Sequence, residues 1–253
     1  MDQTLPVSLP VPVADPGPRI AELARRYKRA NGPVMRLVNR MGNTLENQLS
    51  VVPDRYRGHV ERATAQALET AYGLAGRAPD MGERGPMMAV LASGAAGGAG
   101  GLATSIAELP VTVTLILNAI RAEARAAGYD PDTPAVREEC LRVFGAGSPL
   151  ASDDGINTSF LTARLSITGQ AVQSVIAAVA PRLAAALGQK LAAQAVPVIG
   201  AVSGAALNAA FLSYYREVAR IRFELLRLAE SHGAEPVLDA FAAAISPPRV
   251  TRA

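Results

Sequence analysis

The stretch Ser93–Pro110, SGAAGGAGGLATSIAELP, decides the fold class, because it holds five glycines in its first nine residues and no charge before Glu108. A run of this kind can be a phosphate-binding loop, a membrane-spanning segment, or a helix that lets another backbone approach closely. The three interpretations imply different architectures, and the neighbouring sequence distinguishes between them.

The phosphate-binding interpretation has little support. Gly98-Ala99-Gly100 with Ala103 loosely fits the dinucleotide fingerprint GxGxxG/A, but that motif follows a β-strand and opens a helix. The residues before it, 86–93, have a helical pattern, and no Walker lysine follows. We therefore expect no cofactor.

Two uncharged runs are long enough to span a bilayer, residues 85–107 and 191–215. The first contains six glycines, and the second contains Gln194, Pro197 and Asn208. Their strong insertion residues supply roughly −1 to −2.5 kcal/mol in the first run and roughly −2.5 to −5 kcal/mol in the second. Both values are marginal for independent insertion.

Close helix packing is the interpretation that the glycine spacing favours. Small residues one helical turn apart open a groove for another helix backbone, and each helical glycine costs up to about 1 kcal/mol that tertiary contacts must offset. The pattern predicts two glycine- and alanine-rich buried helix pairs. The glycines expected to pack are Gly94, Gly97, Gly98, Gly101, Gly200 and Gly204.

The composition and periodicity predict an all-α protein. The chain has 49 alanines, only 5 phenylalanines and 6 tyrosines, and no tryptophan. No segment shows sustained period-two alternation. We expect a single bundle of about nine or ten helices over residues 19–246, with a disordered proline-rich arm at 1–18 and a loose tail at 247–253. The expected segments begin near 20, 33, 53, 134 and 153, and a later run is interrupted near Pro181 and Pro197 and continues through 216–227. In the first segment the apolar residues at helical spacing are Ile20, Leu23, Ala24 and Tyr27, and in the third a narrow stripe is formed by Val60, Thr64, Ala67, Ala71 and Ala75.

Basic residues concentrate near the N-terminus, although the net charge is only +3. Residues 19–40 contain seven basic side chains and one acid, Glu22. Such a segment could meet an anionic membrane surface or nucleic acid, or it could be a solvated helix face. We predict a membrane surface and no nucleic acid as partner. The expected surface cations are Arg25, Arg26, Lys28, Arg29, Arg36 and Arg40.

The single cysteine and the N-terminus both favour a cytoplasmic location. Cys140 cannot form an intramolecular disulfide, and as a helical residue it is expected to be a small core side chain. Asp2 and the early prolines argue against a signal peptide. His59 and His232 have no acid or cysteine at ligand spacing, so no metal site is predicted.

Two sequence blocks resemble the EcsC family. The first block shares the family's order of glycine run, Leu-Pro-Val-Thr element, Gly-Tyr-Asp turn and Val-Arg helix start. It spans residues 100–145, GGLATSIAELPVTVTLILNAIRAEARAAGYDPDTPAVREECLRVFG. Residues 190–223, KLAAQAVPVIGAVSGAALNAAFLSYYREVARIRF, resemble the family's C-terminal signature. The resemblance covers 80 of 253 residues and none that we identify before about residue 50. It implies an α-helical, cytoplasmic bacterial protein with a membrane association, and it assigns no catalytic residue.

Four polar residues near the uncharged runs are candidates for ligand binding. Glu108 could accept a ligand hydroxyl or pair with a cation, or it could lie at a helix end before Pro110. Asn118 and Arg121 could bind a phosphate or carboxylate, or make interhelical contacts. Asn208 has the same alternatives.

These features favour a non-catalytic protein at the cytoplasmic membrane face, peripheral to the inner membrane, that binds a lipid or another amphipathic ligand. One alternative is an integral membrane protein in which the two uncharged runs form hairpins and assist a transporter. Another alternative is an enzyme whose pocket would be formed by Glu108, Asn118, Arg121 and Asn208 together. Close helix packing could also join two copies of the chain, and the sequence does not select an oligomeric state.

Overall fold

The computed structural model describes residues 15–30, 54–74, 85–99, 101–146, 172–194 and 200–245, and nearly all of them are helical. The all-α prediction is confirmed over these ranges, which contain eight α-helices and one 3-10 turn, fewer than the nine or ten helices expected. The helices expected over 33–49 and 153–164, the N-terminal arm before residue 15 and the tail after 246 lie outside the described residues. In chain order the elements are α1 (Gly17–Ala30), α2 (Asp54–Leu74), α3 (Gly85–Ala99), α4 (Gly101–Ala126), α5 (Pro134–Arg142), the 3-10 turn (Val143–Ala146), α6 (Val172–Gln194), α7 (Gly200–His232) and α8 (Ala234–Ile245).

The core forms around α7, the longest of these helices. Helix α3 packs on both α7 and α4, and α4 packs in turn on α2 and α7. Helix α2 also contacts α6, while α1 and α8 lie together against α7. The large buried side chains include Phe144, Phe211, Tyr215 and Phe223. Phe211, Tyr215 and Phe223 lie on α7, and the ring of Phe144 from the 3-10 turn packs 5.1 Å from that of Tyr215.

Helix α1 follows the predicted spacing closely. Ile20, Leu23, Ala24 and Tyr27 are its buried residues, as their three- and four-residue spacing indicates. The Asp15 carboxylate accepts a hydrogen bond from the Gly17 amide at 2.9 Å and so satisfies one unpaired donor of the first turn. The side of α1 that faces away from the core is basic, because it carries Arg25, Lys28 and Arg29 and the helix has a single acid, Glu22.

Two prolines that were expected to end helices lie inside them. Pro110 lies within α4 and Pro181 within α6, so the predicted interruption near Pro181 is wrong. A proline removes one amide donor and frees the carbonyl four residues earlier. Pro181 and Ala177 are both exposed, so water can satisfy that carbonyl. Glu108 lies inside α4, seven residues after its first residue, so the alternative that placed Glu108 at a helix end is wrong.

The uncharged run 85–107 is divided between two helices. It forms α3 and the first turns of α4, and these two helices pack against each other. Among the residues that the structure describes, no helix is long and apolar enough to cross a membrane.

Cys140 is a fully buried core side chain, and burial raises the pKa of its thiol to about 12. The thiolate is the reactive form, and at pH 8 a thiol with this pKa is ionised only to about 0.01%. We expect the native protein to give no measurable reaction with an aromatic disulfide reagent at pH 8, and one thiol per chain to react in denaturant. Rapid reaction of the native protein would contradict the buried placement of Cys140.

Candidate ligand-binding site

A buried polar cluster lies where α3, α4 and α7 meet. Its centre is Glu108, whose side chain is on α4 and is only 8% exposed. One carboxylate oxygen, Oε1, accepts hydrogen bonds from Ser93 Oγ at 2.5 Å and from Thr112 Oγ1 at 2.6 Å. The Asn208 amide Nδ2 of α7 donates to the same oxygen at 2.5 Å. Three helices therefore converge on one carboxylate oxygen.

Asn208 is fully buried and fixed in orientation by its two acceptors. Its Nδ2 donates to Glu108 Oε1 and also to the Val90 carbonyl oxygen of α3 at 3.2 Å. A carboxamide turned the other way would bring an oxygen against both of these acceptors. Its Oδ1 has no hydrogen-bond partner among the described residues. This atom is a buried acceptor, and leaving such an atom unpaired costs free energy.

The cluster is packed around two of the predicted glycines. A Cβ atom on Gly94 would lie 2.4 Å from the Gly204 carbonyl oxygen, and one on Gly97 would lie 2.2 Å from Glu108 Oε2. The atom nearest Gly94 is backbone, so α3 approaches α7 this closely only because position 94 lacks a side chain. The atoms nearest Gly97 belong to the Glu108 side chain, which would have to move to admit a Cβ. Gly98, Gly101 and Gly200 are helical, and the contacts around them are not among those that the structure describes.

The four predicted ligand-binding residues do not all come together. Glu108 and Asn208 meet, but Arg121 lies thirteen residues further along α4, about 20 Å away at the rise of a helix. The Arg121 guanidinium is 2% exposed and donates to the Pro131 carbonyl oxygen at 3.0 Å and to Asp132 Oδ1 at 2.6 Å. Arg121 therefore holds the loop between α4 and α5. Asn118, one turn before it, is half-buried.

The loop that Arg121 holds begins at Gly128, where α4 has ended. Gly128 has a φ of 91°, in the left-handed region that favours glycine. The Arg121 guanidinium, which donates a hydrogen bond to Asp132, lowers the pKa of that exposed carboxyl. The motif GYDPD thus has a structural role at this position, because it turns the chain into α5.

Two members of the cluster, Ser93 and Thr112, were not predicted from the sequence. Each is a small polar residue within an apolar helical stretch, which is a weak signal by itself. The signal that could have found them is helical spacing: Thr112 follows Glu108 by four residues, so both lie on one face of α4. Ser93 precedes Gly97 by four residues in the same way, on the face of α3 that meets α4.

The cations of α1 divide into two groups. Arg26 forms a bidentate ion pair with Glu217 of α7, at 2.6 Å from Nε to Oε1 and 2.9 Å from Nη2 to Oε2. Lys28, whose Nζ donates to the Ala244 carbonyl oxygen at 2.9 Å, is exposed, as are Arg25 and Arg29. Arg26 therefore attaches α1 to the core, and so does Arg19, which pairs with Glu224 of α7, whereas Arg25, Lys28 and Arg29 are exposed. Arg36 and Arg40 lie outside the described residues.

A buried ion pair joins α7 to α5 in the same part of α7. Glu139 of α5 accepts a hydrogen bond from Arg222 Nε at 2.6 Å, and both side chains are at most 2% exposed. The neighbouring Glu138 pairs with Arg142 on its own helix. In the described part of the chain, no group of three histidine, cysteine or acidic side chains lies close enough to hold a metal ion.

Comparison with known proteins gives one match. No curated protein and no solved structure matches this chain. The model of the EcsC protein family matches residues 36–228, which is more than half of the chain and begins earlier than the two blocks of resemblance. The match includes α2 to α6 and most of α7, and with them the whole Glu108 cluster. This chain is therefore a member of the EcsC protein family.

Proposed function

We propose that this protein is a non-catalytic helical protein of the cytoplasmic membrane face, which contacts anionic lipid headgroups through the exposed cations of α1. One observation carries the proposal: Arg25, Lys28 and Arg29 are exposed on a helix whose apolar side is buried in the core. Each basic residue close to an anionic surface contributes about 1 kcal/mol. Three such residues support a peripheral, salt-sensitive attachment.

The experiment that tests this attachment is cosedimentation with vesicles that contain an anionic phospholipid. Replacing Arg25 and Arg29 together with glutamine removes about 2 kcal/mol of attraction, which corresponds to an affinity loss of about 30-fold at low salt. The matched control is Arg62→Gln with Arg227→Gln, which changes the net charge equally at exposed positions of α2 and α7. We expect the control to lose only a small part of the affinity. Equal losses in both variants would show that net charge, and not α1, mediates binding.

The second part of the proposal concerns the ligand. We infer that the glycine- and alanine-rich helix pairs hold an amphipathic molecule, with its polar end at the Glu108 cluster. The support is Asn208 Oδ1, a fully buried acceptor that has no donor among the described residues and would accept from a hydroxyl or amine of the ligand.

The test of the ligand proposal is mass spectrometry of an organic extract from the purified protein. We expect a lipid-like molecule at a stoichiometric level, and its loss in an Asn208→Leu variant that keeps a cooperative thermal transition. The control variant is Asn118→Leu, on the same helix as Glu108 but about 15 Å away at the helical rise. An extract of the parent protein that contains no such molecule would contradict this part of the proposal.

A further inference from the structure

Helix α1 is attached to the rest of the protein by an apolar stripe and by ion pairs at its margin. The stripe of Ile20, Leu23, Ala24 and Tyr27 packs toward α7 and α8, where the Tyr27 ring meets Phe241 edge to face at 6.2 Å. The ion pairs are formed with acids of α7. Among the described elements, α1 makes its extensive contacts only with these two helices.

The ion pairs that attach α1 are accessible to solvent. Arg19 lies 3.1 Å from Glu224, with side chains 37% and 19% exposed, and Arg26 lies 2.6 Å from Glu217, with side chains 26% and 23% exposed. Exposed pairs of this kind contribute little net stability. Arg26 holds Glu217 in a bidentate pair, whereas Arg19 reaches Glu224 through one nitrogen and also pairs with Glu22 of its own helix. A phosphate group can replace the α7 carboxylate in each pair, because its oxygens accept from guanidinium donors as a carboxylate does.

The two faces of α1 have the composition of a helix that lies in a membrane interface. Such helices combine a strongly basic polar side with a contiguous apolar side that enters the acyl boundary. In α1 the apolar side is complete and includes an aromatic residue, and Glu22 is the single acid in the helix. The helix is 14 residues long, and the next described helix begins at Asp54.

We propose that the buried apolar face of α1 is a second lipid-binding surface, which becomes available when Arg19 and Arg26 exchange Glu224 and Glu217 for the phosphates of an anionic bilayer. The partner is the bilayer itself. This inference rests on the proposed function, because the exposed cations Arg25, Lys28 and Arg29 would make the first contact. It extends that function from attachment at the surface to insertion of α1 at the interface.

The test uses the absence of tryptophan from the chain. A Tyr27→Trp variant places the only indole on the buried face of α1, and a Phe241→Trp variant places it opposite, on α8. Each is mixed with anionic vesicles whose acyl chains carry bromine, and binding is measured separately by sedimentation. We expect the tryptophan at position 27 to lose most of its fluorescence, and the tryptophan at position 241 to be little quenched in the same vesicles.

The outcomes separate the two proposals. If the protein sediments with the vesicles and neither tryptophan is quenched, α1 stays docked, so the inference is wrong while the surface attachment stands. Equal quenching of both tryptophans would also overturn it, because the protein would then insert by another route. If the protein does not sediment, both proposals fail.

A second pair of variants tests the exchange of partners without altering α1. Glu217→Gln with Glu224→Gln removes the acids that compete with lipid phosphate, and Glu61→Gln with Glu69→Gln changes the net charge equally at exposed positions of α2. We expect the first pair to bind vesicles several-fold more tightly than the second and to show quenching at position 27 at lower lipid concentration. Equal binding by both pairs would overturn the exchange.

Discussion

A Gly94→Ala substitution is expected to lower the free energy of unfolding by about 3 kcal/mol, the upper part of the usual range for overpacking. The added Cβ would lie 2.4 Å from the Gly204 carbonyl oxygen and 2.7 Å from Asn208 Nδ2. The first of these atoms is backbone, so α3 and α7 must separate. Separation also disturbs the hydrogen bonds of Asn208. The measurement is urea denaturation followed by circular dichroism at 222 nm.

The control for this prediction is Gly58→Ala. Gly58 is an exposed residue of α2, and a Cβ there would meet nothing within 4 Å. Alanine is the better helix former by up to about 1 kcal/mol, so this variant should be slightly more stable than the parent. If Gly94→Ala lowers the free energy of unfolding while Gly58→Ala raises it, the close approach of α7, and not helix propensity, sets the effect of the substitution at position 94. A Gly94→Ala variant as stable as the parent would contradict the placement of α3 against α7.

Arg222→Met is expected to destabilise the protein by about 3–5 kcal/mol, as measured for removal of one member of a buried pair. The Arg222 and Glu139 side chains are 1% and 2% exposed. Removal of the guanidinium leaves the Glu139 carboxylate buried beside an apolar side chain, with its charge uncompensated by that partner. Thermal and urea unfolding of the variant measure this loss.

Two further variants show whether the effect belongs to the buried pair. Glu139→Gln combined with Arg222→Met removes both charges, and we expect it to recover most of the lost stability. Arg216→Met removes a cation from the same helix, but its partner Glu123 keeps Arg220 at 2.8 Å. We expect this variant to lose less than about 1 kcal/mol, because part-exposed pairs are weak. A similar large loss for Arg216→Met would contradict the assignment to burial.

Local sequence patterns predicted several helices and the core residues that they bury. The spacing of Ile20, Leu23, Ala24 and Tyr27 gave the correct buried face of α1, and Thr64, Ala67 and Ala71 are buried in α2 as their spacing indicated. These predictions succeeded because side-chain direction in a helix follows from residue number alone. Nothing outside the segment is needed to know which residues share a face.

The prolines show where local patterns were insufficient. Pro110 and Pro181 both have the intrinsic tendency to end a helix, and the helices continue through them. Tertiary packing of the residues on either side outweighs the loss of one hydrogen bond. The interruption near Pro181 was therefore predicted wrongly from a propensity that is correct for an isolated peptide.

The candidate site was predictable only in part. Glu108 and Asn208 stood out as polar residues in or beside uncharged runs, and the structure brings them to 2.5 Å although 100 residues separate them. Arg121 stood out for the same reason, yet it holds the loop before α5. Glu108 and Arg121 are both on α4, so the helices that pack beside each residue, and not the residue type, decide its partners.

The sequence by itself determined that this protein is helical, which residues α1 and α2 bury, and that it resembles the EcsC family. Those properties depend on residue spacing within a segment and on the order of short motifs. Only the tertiary structure decided that Gly94 faces Gly204, that Glu108 gathers Ser93, Thr112 and Asn208, and that Arg26 is bound by Glu217. These pairings depend on which helices become neighbours, and that choice is made by the packing of the whole chain.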